Sequence, residues 1–235
     1  MGFLSRRFEQ EGSGLPAPQT GWARFFYLIG TFFWKLVGLN LLTVVFSVPV
    51  ITMPAAICAA FRVCILLIRN GNVFLWSDFW EEFRRSFMKS LLTGLAASAV
   101  LFGGYFLMSL GAGNASLPLW SLLFWVFGIC LTFFSITWGC YTHALIAVSD
   151  QKLPVIMKNA LLLIPIRPGH ALAVFAVVII MLFITTVLFP LSLFLFVFCL
   201  LSLAVFTISW IVNTLAEEFI LRKPESESSE MENQL

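Results

Sequence analysis

LSLFLFVFCLLSLAVFTISWIVNTL, residues 191–215, runs for 25 residues without a charge. A hydrocarbon core about 30 Å thick is crossed by about 20 apolar residues in a helix, so this stretch reads as a membrane crossing. Working back toward the N-terminus, residues 171–188, 119–147 and 91–110 read the same way. The region before Asn70 divides into 36–53 and 55–68, a hairpin whose turn is flanked by Pro49 and Pro54. Proline there removes donors and fixes φ. The second of these runs is short and crosses if it tilts or begins below the surface. The expectation is an all-α fold: a polytopic membrane helical bundle of about six transmembrane helices, with cytoplasmic interfacial amphipathic helices. Residues 1–20 form a cytoplasmic N-terminal segment, 21–221 the membrane domain and 222–235 a disordered, Ser/Glu-rich cytoplasmic tail.

Charge orients the bundle. The turns at 48–54, 110–119 and 188–191 carry none of the 14 basic and 12 acidic residues. Arg69, Arg84, Arg85 and Lys89 follow the second crossing; Lys152, Lys158 and Arg167 follow the fourth; Arg222 and Lys223 follow the sixth. Basic loops stay cytoplasmic, so both termini are expected inside, whereas five crossings would put a basic loop outside. With 60% hydrophobic residues and a mean hydropathy of +0.96, the lipid bilayer is the first partner. A net charge of +2 is too small to suggest nucleic acid.

Residues 76–89 hold the sharpest periodicity. At about 100° per residue, Trp76, Phe79, Trp80, Phe83 and Phe87 fall on one side of a helix, with Asp78, Glu81, Glu82, Arg85 and Lys89 on the other. Ser77 or Asp78 is the expected N-cap. A helix lying in the interface plane fits this pattern, with the charged side, Arg84 included, open to a partner protein. Residues 150–164 form a weaker case, with Pro154 in the first turn and an apolar side of Val155, Ile156, Leu162 and Leu163. Residues 20–35, with Arg24, Tyr27, Thr31 and Lys35 as a polar stripe, are expected along the surface before the first crossing.

Within the bilayer, Gly128, Thr132, Ser135, Gly139, His143 and Ala147 form one small or polar stripe on the fourth crossing. Close packing is the plainer reading, with Gly94, Ala97 and Ser98 as candidate partners; a lining for a polar path is the functional alternative. Arg62 is expected to snorkel to the inner headgroups or to pair with Glu217. Arg62, Ser135, His143 and Glu217 are the candidate intramembrane polar residues, and Asn40, Pro49, Thr52 and Pro54 the candidate functional hairpin. The five cysteines and two histidines form no ligand cluster, and no phosphate loop, HExxH or GxSxG is present. No metal, cofactor or enzymatic activity is expected.

Asn40-Leu-Leu, SVPVITMPA (47–55), DFWEEFRRSFMKS (78–90) and KNALL (158–162) resemble the YesL-like family of bacterial integral-membrane proteins, whose function is uncharacterised. The likeness covers most of residues 25–215 and departs at Met53, where a glycine usually precedes the second hairpin proline. Such proteins are often encoded beside carbohydrate importers in Gram-positive bacteria. The resemblance therefore implies a plasma-membrane protein, a non-enzymatic accessory to carbohydrate uptake that contacts sugar importer membrane subunits. The alternative is a small solute transporter or substrate-binding membrane component in its own right. Neither substrate nor oligomeric state follows from the residues.

Overall fold

The computed structural model describes residues 21–71, 73–113 and 118–220, with the side chains of 113, 118 and 215–220 outside that description. The expected segments 1–20 and 222–235 therefore lie outside the described residues, as does the Glu217 side chain. The chain forms two units, Met1–Phe33 and Trp34–Leu235. Helix α1 (Gly21–Ser47) begins in the first, where Trp22 meets Phe25 edge-on with ring centroids 5.8 Å apart, and its backbone leaves helical angles at Phe32.

The second unit holds the rest of α1, a 3₁₀ turn (Val50–Thr52), α2 (Met53–Asn70), α3 (Leu75–Gly113), α4 (Pro118–Val148), α5 (Leu153–Ile166), α6 (Pro168–Val187), α7 (Leu191–Leu195), a π turn (Phe196–Leu200) and α8 (Leu201–Ile220). Among the described residues there is no strand. Among the described residues six stretches are long and apolar enough to cross a membrane: Gly21–Ser47, Val50–Asn70, Leu75–Ala112, Leu119–Val148, Pro168–Val187 and Leu191–Thr214. The chain is thus an all-α, multi-pass membrane bundle.

Local chemistry explains the boundaries. α1 stops at Ser47 rather than running to 53, because Pro49 disfavours helical angles in the residue before it. α2 opens with Pro54 in its first turn, where the missing N–H costs nothing. It closes on Gly71 at φ 70°, whose N–H reaches Leu67 O. The expected interfacial helix 76–89 and crossing 91–110 are instead one 39-residue helix, since nothing between Leu75 and Thr93 is glycine or proline. It starts earlier than the expected N-cap. Asp78 accepts the Phe74 N–H at 2.9 Å, satisfying a backbone donor that has no helical partner at the start of α3. The expected crossing at 191–215 is one continuous span, Leu191–Thr214, with a π turn between α7 and α8.

At the centre sits α2, packed against α3, α4 and α8. Ala55, Ala56, Ala59 and Ala60 are all buried, and such small side chains let neighbouring helices approach closely. At α2's start, Pro54 seats against Gly94; a Cβ on Gly94 would lie 2.5 Å from Pro54 Cγ. The aromatic side of α3 is partly covered by α1, with Phe79 and Phe83 buried and Trp76 exposed. Phe46 of α1 packs among Trp76, Phe79, Trp80 and Phe83, with ring centroids 5.3–6.3 Å away. On α5 the buried residues are Ile156, Ala160 and Ile164, one helical row, whereas Val155 and Leu162 of the expected apolar side are exposed.

The uncovered side of α3 marks where water gives way to lipid. From the N-terminus it presents Ser77, Glu81, Arg84 and Arg85, then Met88, Leu92, Leu95, Phe102 and Phe106, all exposed. Five large apolar groups in a row on a solvent face are unsupportable in water, so the boundary crosses α3 near residues 85–88. From there to Gly113 the helix rises about 38 Å at ~1.5 Å per residue, enough for the core. With the exposed Cys130 replaced by serine, Glu81→Cys is expected to react with a charged maleimide in opened membranes. Leu92→Cys should react more than about tenfold slower, because hydrocarbon suppresses the thiolate. Equal rates would move the boundary.

Candidate functional site

The hairpin residues are engaged by backbone. Thr52 Oγ1 donates to Phe46 O (2.5 Å) and Pro49 O (2.7 Å), closing the turn that Pro49 starts. Asn40 is fully buried and spans to the other end of the chain. Its Nδ2 donates to Phe196 O (2.7 Å) and Val197 O (2.5 Å), and its Oδ1 accepts from Ser202 N–H (2.7 Å). A π turn shifts the i→i+4 ladder and leaves backbone groups without their usual partners; Asn40 supplies them from α1. Asn40 and Thr52 thus serve two different backbone sites.

A second polar cluster lies where α2, α3 and the α4–α5 connection meet. Glu82, expected on the solvent side, is only 3% exposed and pairs with Arg85 at 2.7 Å. Arg85 also reaches Asp150 at 2.5 Å, and Lys89 Nζ donates to Gln151 O at 3.2 Å. Cys58 Sγ sits 4.0 Å from Glu82 Oε1 and 3.6 Å from His143 O. Arg62 reaches the end of α4. Its Nη1 donates to Ala147 O at 3.0 Å, satisfying one of the last carbonyls of α4 and placing a cation at the negative end of that helix. Three basic side chains from α2 and α3 therefore hold the end of α4 and the chain leaving it.

The cluster makes a stability prediction with a built-in contrast. Arg85→Met leaves the buried Glu82 without an ion pair among the described residues. Breaking a buried pair costs about 3–5 kcal/mol; with Arg85 38% exposed, solvent screening brings the expected loss nearer about 1–3 kcal/mol. Asp150→Asn should cost under about 1 kcal/mol, since Asp150 is 83% exposed. Thermal unfolding in detergent compares them, and equal losses would mean that burial of Glu82 is immaterial.

From Gly128 to Gly139 the stripe on α4 packs against α3. A Cβ on Gly128 would lie 2.9 Å from Gly104 O, and one on Gly104 would lie 2.7 Å from Thr132 Oγ1. Ser135 Oγ donates to Ala97 O at 2.6 Å, and a Cβ on Gly139 would sit 3.4 Å from Ala97 Cβ. Of the partners expected on α3, Ala97 is one, while Gly94 serves Pro54 instead. His143 turns to its own helix, Nδ1 lying 2.7 Å from Gly139 O. A carbonyl only accepts, so the proton is on Nδ1 and the buried Nε2 is an acceptor without a partner. Among the described residues, no group of three or more His, Cys, Asp or Glu is arranged to hold a metal.

Glu82, Cys58 and Asp150 were not singled out from the sequence as site residues, whereas Asn213 is among the polar groups expected to reach below the interface. One signal was present: Glu82, Ser86, Ser90 and Thr93 follow one another at helical spacing, a small polar row fit to face the alanines of α2. Ser86, Ser90 and Thr93 each donate to a carbonyl of their own helix, which lets hydroxyls sit in an apolar contact. Residues 36–108, from Asn40's helix through the hairpin and α2 to the packed half of α3 and beyond, match the family model described as "Protein of unknown function, DUF624". No curated protein and no solved structure matches the chain.

Proposed function

We propose that this chain is a non-enzymatic accessory of a carbohydrate importer in the bacterial plasma membrane, with both termini cytoplasmic. The observation that carries the reading is the division of α3 and α4. Gly128, Ser135 and Gly139 of the α4 stripe pack closely against α3, which favours a packing role over a lining. The charged start of α3 stays open, with Trp76, Ser77, Trp80, Glu81, Arg84 and Arg85 around a shallow groove of about 650 Å³. Arg84 lies over the Trp80 ring, 4.8 Å from its centroid. Aromatic and arginine side chains at an uncovered surface are what interface centres are made of. The match to the family of unknown function over residues 36–108 agrees with the YesL-like resemblance, and that resemblance supports the importer as partner. Basic residues after α2, in the α4–α5 connection and at Arg167 support the orientation.

Tagged full-length protein recovered from native membranes is expected to bring importer membrane subunits with it. Arg84→Glu should weaken that recovery without changing thermal stability. Repeated recovery of the protein with no importer subunit would sink the proposal.

A further inference from the structure

Where α2, α4, α5 and α8 converge there is a cleft of about 210 Å³, distinct from the α3 groove and adjoining the Glu82 cluster at Gln151. Its floor is apolar: Ile65, Ile156 and Val212 are buried there. Its mouth is polar and exposed, formed by Arg69, Gln151 and Asn159. The Arg69 guanidinium is held in place, with Nε donating to the buried Asn213 Oδ1 at 2.8 Å. Among the described residues no carboxylate pairs with Arg69, and its two terminal nitrogens have no hydrogen-bond acceptor. Beside it the Asn159 and Gln151 amides touch only at 3.5 Å, a separation at which little bonding remains. The cleft therefore gathers a fixed cation and amide donors above an apolar floor, with no acid among the described residues paired to Arg69.

We propose that this cleft binds a small oxyanion carrying a short apolar body, of which a short-chain carboxylate is the simplest case. The planar guanidinium fork matches a carboxylate or phosphate with two parallel N–H···O bonds, and the neighbouring amides add donors to the same oxygens. The alkyl part then covers Ile65, Ile156 and Val212. Size limits the ligand: 210 Å³ lies below the roughly 300–1,000 Å³ of pockets for drug-sized molecules. The same chemistry is offered by a soluble carboxylate and by the phosphate of an anionic lipid.

Thermal unfolding of the full chain in phosphatidylcholine nanodiscs tests it, with hexanoate and its neutral counterpart hexanol as probes and a second nanodisc series containing phosphatidylglycerol. Hexanoate is expected to raise Tm saturably and hexanol is not. Arg69→Gln should weaken hexanoate binding by at least about tenfold, the scale of a lost charge-assisted bond, and Arg69→Lys should recover part of it. A Tm rise with phosphatidylglycerol alone that Arg69→Gln abolishes also supports the site and assigns the oxyanion to lipid. If Arg69→Gln does not fold, Asn159→Leu at the exposed mouth takes its place and is expected to weaken binding. The proposal is overturned if hexanol matches hexanoate, if neither hexanoate nor phosphatidylglycerol gives a saturable rise, or if the substitutions leave the response unchanged. The readout is on the isolated protein, so it is independent of any importer.

Discussion

Asn40→Leu is expected to destabilise the protein by about 2–5 kcal/mol, measured as a fall in Tm of the purified chain and in the denaturant needed to unfold it. The substitution removes three hydrogen bonds at once, to Phe196 O, Val197 O and Ser202 N–H. Two magnitudes bracket the result. Interhelical side-chain bonds in membranes average only about 0.6 kcal/mol each, because the unfolded chain in lipid also finds partners. A buried backbone group left with no partner costs about 1–3 kcal/mol. The second term has weight here because the π turn (Phe196–Leu200) denies these groups their usual helical bonds. Asn40→Asp keeps an acceptor for Ser202 but loses both donors and buries a charge, so it should be at least as damaging. A loss under about 0.5 kcal/mol for Asn40→Leu would mean that the π turn relaxes into ordinary α-helix once nothing holds it.

Gly128→Ala should cost about 1–3 kcal/mol, the range for an added group in a tight core, although alanine is the better helix former by roughly 1 kcal/mol. The added methyl would meet Met108 Cγ at 2.5 Å, Gly104 O at 2.9 Å and Met108 N at 3.1 Å. A methionine side chain can swing away; two backbone atoms cannot. The α3–α4 pair must open locally, which also strains the Ser135–Ala97 bond two turns along. Gly30→Ala is the control, since a Cβ there meets nothing within 4 Å. It is expected to be neutral or slightly stabilising by propensity alone. If both substitutions behave alike, close approach of α3 and α4 is not what glycine is needed for.

Much of the local structure was legible because it rests on short-range chemistry. Pro49 and Pro54 mark the first hairpin, and the uncharged run at 91–110 marks a crossing. Small residues on α4 announced a close contact, and Ala97 was among the partners expected for it. The polar sites were legible in residue type but not in pairing. Arg62 was read as reaching for headgroups because nothing local places Ala147 O beside it; the two are 85 residues apart and meet only when α4 ends against α2. Asn40 stood out as a polar group within a crossing, yet its partner is a π turn that no residue pattern at 196–200 announces. Glu82 was assigned to water because Asp78, Glu81 and Arg85 share its side of the helical wheel.

That error has a physical origin. Around α3 the aromatic residues suggested one buried side, whereas the buried row is Phe79, Glu82, Phe83, Ser86, Ser90 and Thr93. In water an apolar side chain must find a core, so periodicity reports which face is buried. In lipid it is equally at home against a neighbour or against an acyl chain, and periodicity loses that information. The residues by themselves determine the solvent and the apolar runs that cross it, since both follow from transfer energies within a few residues. Which side of each helix meets protein, and so which buried polar groups find one another, was decided only by the tertiary packing. There the approach of small residues and the satisfaction of a few hydrogen bonds outweigh a hydrophobic term that lipid has made nearly indifferent.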